Sequence, residues 1–307
     1  MAPEQSNSGG LKKFAWFVVA YNLLVIAWGA YVRATSSGAG CGNDWPRCSG
    51  GVTANTGDFH QLVEYTHRLS SGLSLVFAII LLIWVFRRTN KGHWTRITAV
   101  AAVCFLFAEA LIGALLVLGG FVTTNSSAMR AVVLCWHFAN TLLLLASLTL
   151  TAHWIGAPHA SGRVRLEQRS VWVPLILLLL AGTTGAMAAL GDTLFPSTSF
   201  GSALQQDLSS SSHFLIRWRI LHPLSAIAAA VLIMVFLRRA KASGRLASWM
   251  PKVGHALIGT QLLVGFANAG LRAPLPLQMV HLVLADSIWI VMVLCAASMA
   301  ISRADAA

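Results

Sequence analysis

Apolar residues recur along this chain in long, nearly unbroken runs separated by short polar stretches. Eight runs approach or exceed the roughly 20 residues a helix needs to cross a bilayer; they lie at 14–34, 62–86, 97–120, 131–154, 171–190, 214–237, 252–270 and 279–301. In lipid every backbone N–H and C=O must bond within the protein, which a continuous helix achieves. The pattern therefore predicts an all-α polytopic membrane protein with eight transmembrane helices. The polar intervals divide it into a tail at 1–13, a first unit at 14–154, a linker at 155–170, a second unit at 171–301 and a tail at 302–307.

Composition changes the picture in one respect. A length of 307 residues would by itself suggest about two soluble domains. The chain is 56% hydrophobic and only 10% charged, with a mean hydropathy of +0.69, whereas a soluble domain carries roughly 25% charged residues. The net charge of +12 is not gathered into one patch, which argues against a nucleic-acid partner. It falls in short clusters between the runs, as membrane topology is written. Fifteen basic residues, among them Lys12, Lys13, Arg87, Arg88, Arg163, Arg165, Arg238, Arg239, Arg245 and Arg303, fall on one side, against seven on the other: Arg33, Arg47, Arg68, Arg130, Arg217, Arg219 and Arg272. That bias places both termini in the cytoplasm and the loops near 35–61 and 191–213 outside. The N-terminal ten residues lack a cleavable-signal pattern, so the first run is expected to remain.

The two halves repeat. HRLSSGLSLVFAIILLIWVFRR from His67 answers HPLSAIAAAVLIMVFLRR from His222, and Gly29-Ala-Tyr answers Gly185-Ala-Met. Glu109 and Gly113 answer Gln261 and Gly265, and Trp-His137 answers Val-His281. With four helices per half, both halves run in the same sense, a parallel repeat about an axis along the membrane normal. The expected architecture is two pseudo-symmetric four-helix bundles.

His67, His137, His222 and His281 each fall one to two turns inside the outer end of an even-numbered span. An ionisable side chain in a span is costly and usually has a function or a partner. One such histidine would more often be a packing residue; four in repeat-related places point to ligands. Two per half suit two haems, each between a pair of axial histidines, better than a zinc or copper cluster. The outer arginines are candidates for haem propionates or for lipid headgroups. His93, His153, His159 and His255 lie in or beside cytoplasmic connections and read as solvated or interfacial.

His60, Glu64 and His67 share one helix face at i, i+4, i+7. Glu64 can orient water or accept a proton beside His67, or simply pair with Arg68 at i+4. The second half has Arg219 in the matching place, so the repeat breaks where one half would hold a substrate and the other a fixed cofactor. A di-iron carboxylate site, which also uses Glu-x-x-His, lacks ligands here: Glu64, Glu109 and Asp286 are the only carboxylates in the spans and lie at different depths. Cys104, Cys135 and Cys295 read as small apolar span residues. Cys41 and Cys48, in CGNDWPRC, share the first outer loop; they fit either a disulfide in an oxidising compartment or a redox-active thiol pair.

Together these stretches, GAYVRATSSGAGCGNDWPRC at 29–48, EYTHR at 64–68, WH at 136–137, LHPLSA at 221–226 and MVHL at 279–282, resemble the haem A synthase family over nearly the whole chain. The resemblance implies oxidation of the C8 methyl of haem O to a formyl group, making haem A for terminal oxidases in a bacterial cytoplasmic membrane. It implies that His67 and His137 flank the substrate haem O, that His222 and His281 ligate a cofactor haem b, that Glu64 is the catalytic carboxylate and that Cys41 and Cys48 are the outer-loop pair. The implied partners are membrane lipid, haem O and haem A, a haem O synthase and an electron acceptor. Some members carry a second cysteine pair after the fifth helix; here that loop, GDTLFPSTSFGSALQQDLSSSS, has none. Two other classes compete. A di-haem membrane cytochrome that only carries electrons explains the histidines without needing Glu64. A transporter predicts broken helices at mid-membrane, for which Gly182-Thr-Thr-Gly185 is a candidate, although small residues also let helices pack closely.

Overall fold

The computed structural model describes residues 8–51, 55, 57–157, 169–242 and 246–300. Residues 1–7, 158–168 and 301–307 lie outside it, and with them most of the expected linker, the C-terminal tail, His159, Arg163, Arg165 and Arg303; Arg245 lies outside it too. The described residues are helical throughout their long segments: α1 (Ser8–Ala34), α2 (Phe59–Arg88), α3 (Trp94–Leu118), α4 (Ala128–Trp154), α5 (Arg169–Leu194), α6 (Phe200–Leu208), α7 (Phe214–Arg217), α8 (Leu221–Ala242), α9 (Trp249–Gly270) and α10 (Leu275–Ala300). Seven helical segments, counting α7 to α8 as one, are long and apolar enough to cross a membrane. The remaining long helix, α9, has the length but is diluted by His255, Gln261 and Asn268 and falls short in apolarity.

Three differences from the apolar pattern have local causes. Helix α1 begins at Ser8, before the apolar run, because nothing in SGGLKK stops a helix from extending past the lipid into polar sequence. The loop near 191–213 contains α6, whose start is fixed by a Ser199–Ser202 capping box; nine residues are too few to register as an apolar run. The chain enters α8 through a 3₁₀ turn at Trp218–Ile220. Pro223 has no N–H to give to the residue 219 carbonyl, so a continuous α-helix would lose a bond there. Helix α5, in contrast, is uninterrupted across Gly182-Thr-Thr-Gly185, and the Thr183 and Thr184 hydroxyls bond back to the Leu180 carbonyl at 3.0 Å. The sequence candidate for a transporter-like break is thus a packing site.

In order, α1 packs on α2, α2 on α3, α3 on α4, and α4 back on α1; α5, α8, α9 and α10 pack in the same cyclic order. The two sets meet where α4 touches α5 and α10 and where α1 touches α10. One apolar core fills the first set, centred on Val18, Leu81, Leu106, Leu145 and Leu148, and takes in Trp289 and Val293 from α10. A second fills the other, around Ile233, Leu237, Ile258 and Met292. The Trp289 indole donates to the Leu142 carbonyl at 2.8 Å. The outer surface is apolar too: Leu24, Trp136 and Leu263 are each about two-thirds exposed or more. An exterior of that kind suits contact with lipid rather than water.

Candidate functional site

Four helix starts lie at the same end of the molecule as the Cys41–Cys48 loop. Asp58 caps α2, its carboxylate accepting from the His60 and Gln61 N–H groups, and Ser127 caps α4 by accepting from the Arg130 N–H at 3.2 Å. Counting from Phe59, Ala128, Phe214 and Leu275, a helical rise of 1.5 Å per residue puts His67, His137, His222 and His281 about 9–14 Å in. Measured from these starts, the four histidines lie at similar depth.

At that depth the histidines come in twos. The His222 and His281 rings have centroids 6.0 Å apart at 90°. His67 on α2 and His137 on α4 are the corresponding two of the first set. His222 Nδ1 is hydrogen-bonded to the Ala181 carbonyl at 3.0 Å, which makes it the donor and leaves the Nε2 lone pair free. The Nδ1 atoms of His67, His137 and His281 are buried without a hydrogen-bond partner among the described residues. Each pair is seated on glycine. A Cβ at Gly29 would stand 2.9 Å from His67 Cε1, one at Gly185 2.9 Å from His222 Cε1, and one at Gly265 3.0 Å from His281 Cε1. The contacts at Gly29 and Gly185 repeat each other in the two sets of helices.

Glu64 is 3% exposed. One of its oxygens pairs with Arg68 and Oε2 accepts from the Cys41 N–H at 2.9 Å. Arg68 in turn donates to the carbonyls of Asp44, at 2.7 Å, and Arg47. The carboxylate next to His67 is therefore the anchor of the cysteine loop, in which Cys41 and Cys48 form a buried disulfide; the pair is not a standing dithiol. His60 is tied to the same region by Nδ1 to Ser37 Oγ at 3.0 Å. The matching residue in the second set, Arg219, also anchors the loop above it, through Asp192 and Asp207 at 2.8 Å each. Both halves clamp a loop three residues before the histidine, with the charge reversed.

Of the arginines considered for propionates, most are engaged internally. Arg33 donates to the Ala189 carbonyl (2.8 Å), Thr193 Oγ1 (2.7 Å) and Gln278 Oε1 (3.2 Å). Arg130 bonds the carbonyls of Thr123 and Asn125, and Arg272 that of Thr198. Arg217 is exposed and without a polar partner among the described residues. Two carboxylates that the sequence pattern named were given no role there. Glu109 stands 3.5 Å from His137 Nδ1 and accepts from Asn140 and Thr141. Asp286 is 1% exposed, with neither oxygen partnered among the described residues. Their location in spans was signal enough to single them out; which histidine Glu109 meets depends on how α3 and α4 pack.

These residues fit haem. Metal–imidazole bonds are about 2 Å, so the 6.0 Å between the His222 and His281 ring centroids would leave room for one metal between them. Unpartnered buried ring nitrogens and glycine beds that bring rings close to a neighbouring helix suit the same purpose. Among the described residues no three His, Cys, Asp or Glu gather into a metal-ion cluster, so the donors are available only as pairs.

A multi-pass helical membrane protein with paired intramembrane histidines beneath a disulfide-closed loop is the class that fold and site define. The chain matches the family model described as "Cytochrome oxidase assembly protein", COX15-CtaA, over residues 12–293, and it belongs to that family. It is 42% identical over 299 residues to a Thermus thermophilus protein named protoheme IX farnesyltransferase, covering 94% of this chain and 48% of that one. It is 35% identical over 140 residues to a heme A synthase of Halalkalibacterium halodurans, covering 46% and 44%. It is 33% identical over 138 residues to one of Lysinibacillus sphaericus, covering 44% and 42%. The chain spans about half the length of the curated relatives it matches.

Proposed function

We propose that this chain is a haem A synthase that oxidises the C8 methyl of haem O to a formyl group. The observation that carries the reading is the pair of histidine pairs at similar depth, three of the four rings seated against a glycine of a neighbouring helix, in a member of an oxidase-assembly family. Relatives named heme A synthase support the haem chemistry. The Thermus relative is named for farnesyl transfer instead. Chemistry on a diphosphate uses Mg²⁺ held by carboxylates and phosphates, and the described residues bring no such acidic cluster together. Prenyl transfer therefore finds no support in the stretch that this chain shares with that protein. A protein that makes haem O is a natural supplier of substrate.

In this reading α9 is the eighth span, since it packs between α8 and α10 at the length of its neighbours. The two cyclic sets of helices are pseudo-symmetric bundles of a bacterial cytoplasmic membrane protein with both termini inside. His67 and His137 flank haem O, and His222 and His281 hold a haem b. Bound haem b supplies one-electron redox chemistry. The protein's own residues do the rest: the four imidazoles fix plane and depth, the apolar cores exclude water, and Glu64 presents fixed negative charge beside His67. Taking the methyl to a formyl removes four electrons, which would pass to the electron acceptor, and adds one oxygen; as electrons leave that carbon, a preorganised anion would stabilise the positive charge that builds there.

The test is expression of the chain with and without a haem O source, followed by chromatography of extracted haems. Haem A appearing only when haem O is supplied supports the reading. Haem O or haem b returned unchanged by a fully haem-loaded protein overturns it in favour of an electron-carrying cytochrome.

A further inference from the structure

The two histidine pairs are not chemically alike, and the difference lies on α3 and α9. Glu109 holds Oε1 3.5 Å from His137 Nδ1, near the ring but not hydrogen-bonded to it, and is itself fixed by Thr141 Oγ1 and by Asn140 Nδ2, which also donates to the Phe105 carbonyl at 2.9 Å. In the second set the same place, 152 residues on (261 − 109), is Gln261. Its Nε2 lies 3.3 Å from His281 Nε2, and its Oε1 has no partner among the described residues. The glycine beds differ with them: His281 lies on Gly265, while Gly113 has nothing within 4 Å. His137 thus has a carboxylate beside Nδ1, whereas His281 has an uncharged amide at Nε2 and nothing at Nδ1 among the described residues.

We propose that Glu109 is a positioning residue that holds His137 through Nδ1–H, leaving Nε2 for haem iron, and makes the first haem site the more electron-rich of the two. The inference rests on the haem-binding reading above. A carboxylate behind a metal-bound imidazole fixes its tautomer and ring orientation and raises its basicity. A more basic axial ligand favours ferric over ferrous iron, so the first site has the lower midpoint potential. Gln261 does not act this way, because it is uncharged and meets His281 at Nε2 rather than at Nδ1.

The experiment is a redox titration of the purified protein loaded with haem, read from its absorption bands, for wild type, Glu109→Gln and Glu109→Asp. A His137→Ala sample assigns the first-site component. Glu109→Gln is expected to raise the potential of that component and to weaken its ferric haem about 10–100-fold, with the other component in place. Glu109→Asp is expected to raise the first potential by less. Should Glu109→Gln fail to fold, Glu109→Asp decides, since it keeps the charge but draws the carboxylate back from Nδ1; an unmoved first potential in that protein overturns the proposal. Unmoved potential and affinity in a folded Glu109→Gln protein also overturn it, and leave the haem reading standing. A wild-type chain that takes up no haem overturns both, and so separates failure of the function from failure of this residue's role.

Discussion

At the scale of single residues the instructive case is Glu64. Its spacing from His67 suggested chemistry, and its spacing from Arg68 suggested an ion pair. The structure realises the pair and adds a bond to the Cys41 N–H. The i+4 partner was legible because both residues sit on one helix; the Cys41 contact was not, because the loop's path over α2 is a tertiary matter. Glu64→Gln keeps shape and can still accept a hydrogen bond, but it loses the charge. It is expected to retain haem b and to cut haem A formation by about 10²–10³, the usual loss for a removed preorganised group, measured by haem chromatography from cells supplied with haem O. Near-normal haem A would leave Glu64 as a loop anchor alone. For the cysteines the expectation is equally specific: a membrane-impermeant maleimide should label Cys41 and Cys48 only after a reductant is added, and labelling of untreated intact cells would contradict the disulfide.

At the scale of helices the histidines depend on the surfaces that receive them. His222 lies on Gly185 of α5 and His67 on Gly29 of α1, so a methyl group at either glycine meets an imidazole below 3.0 Å. Overpacking of this kind costs about 1–3 kcal/mol, and here it is borne by a ring whose direction matters. Gly185→Ala is expected to lower haem b content as His222→Ala does, the latter stripping it outright. Gly113→Ala, with open space around it, should bind haem normally. Spectrophotometric haem content per purified protein measures all three; full haem b in the Gly185→Ala protein would detach the glycine from the site. The sequence paired these glycines by repeat position without saying what lay upon them.

For the whole molecule the question is what joins the two sets of helices. Trp289 reaches across to Leu142, and Arg33 at the end of α1 makes three hydrogen bonds to α5 and α10. Each bond contributes about 0.5–1.5 kcal/mol, and charged donors more. Arg33→Ala is expected to destabilise the detergent-solubilised protein by roughly 2–4 kcal/mol on that scale, seen as a lower thermal midpoint, with haem still bound below it. An unchanged midpoint would show that apolar packing alone joins the two sets.

The sequence by itself determined the helical class, the places of the long helices, the four histidines and their common depth. Those depend on the length and period of apolar runs and on the charges between them, and both are properties of a linear pattern. The repeat was legible too, as matched landmarks such as Gly29 with Gly185 and Glu109 with Gln261. Only the tertiary structure decided who meets whom: Glu64 with the Cys41 backbone, Arg219 with Asp192 and Asp207, Glu109 with His137, Arg33 across to α5. Each of these contacts depends on the rotation of one helix against another and on the route of a loop, and those are set by the fit of many side chains at once rather than by any run of residues.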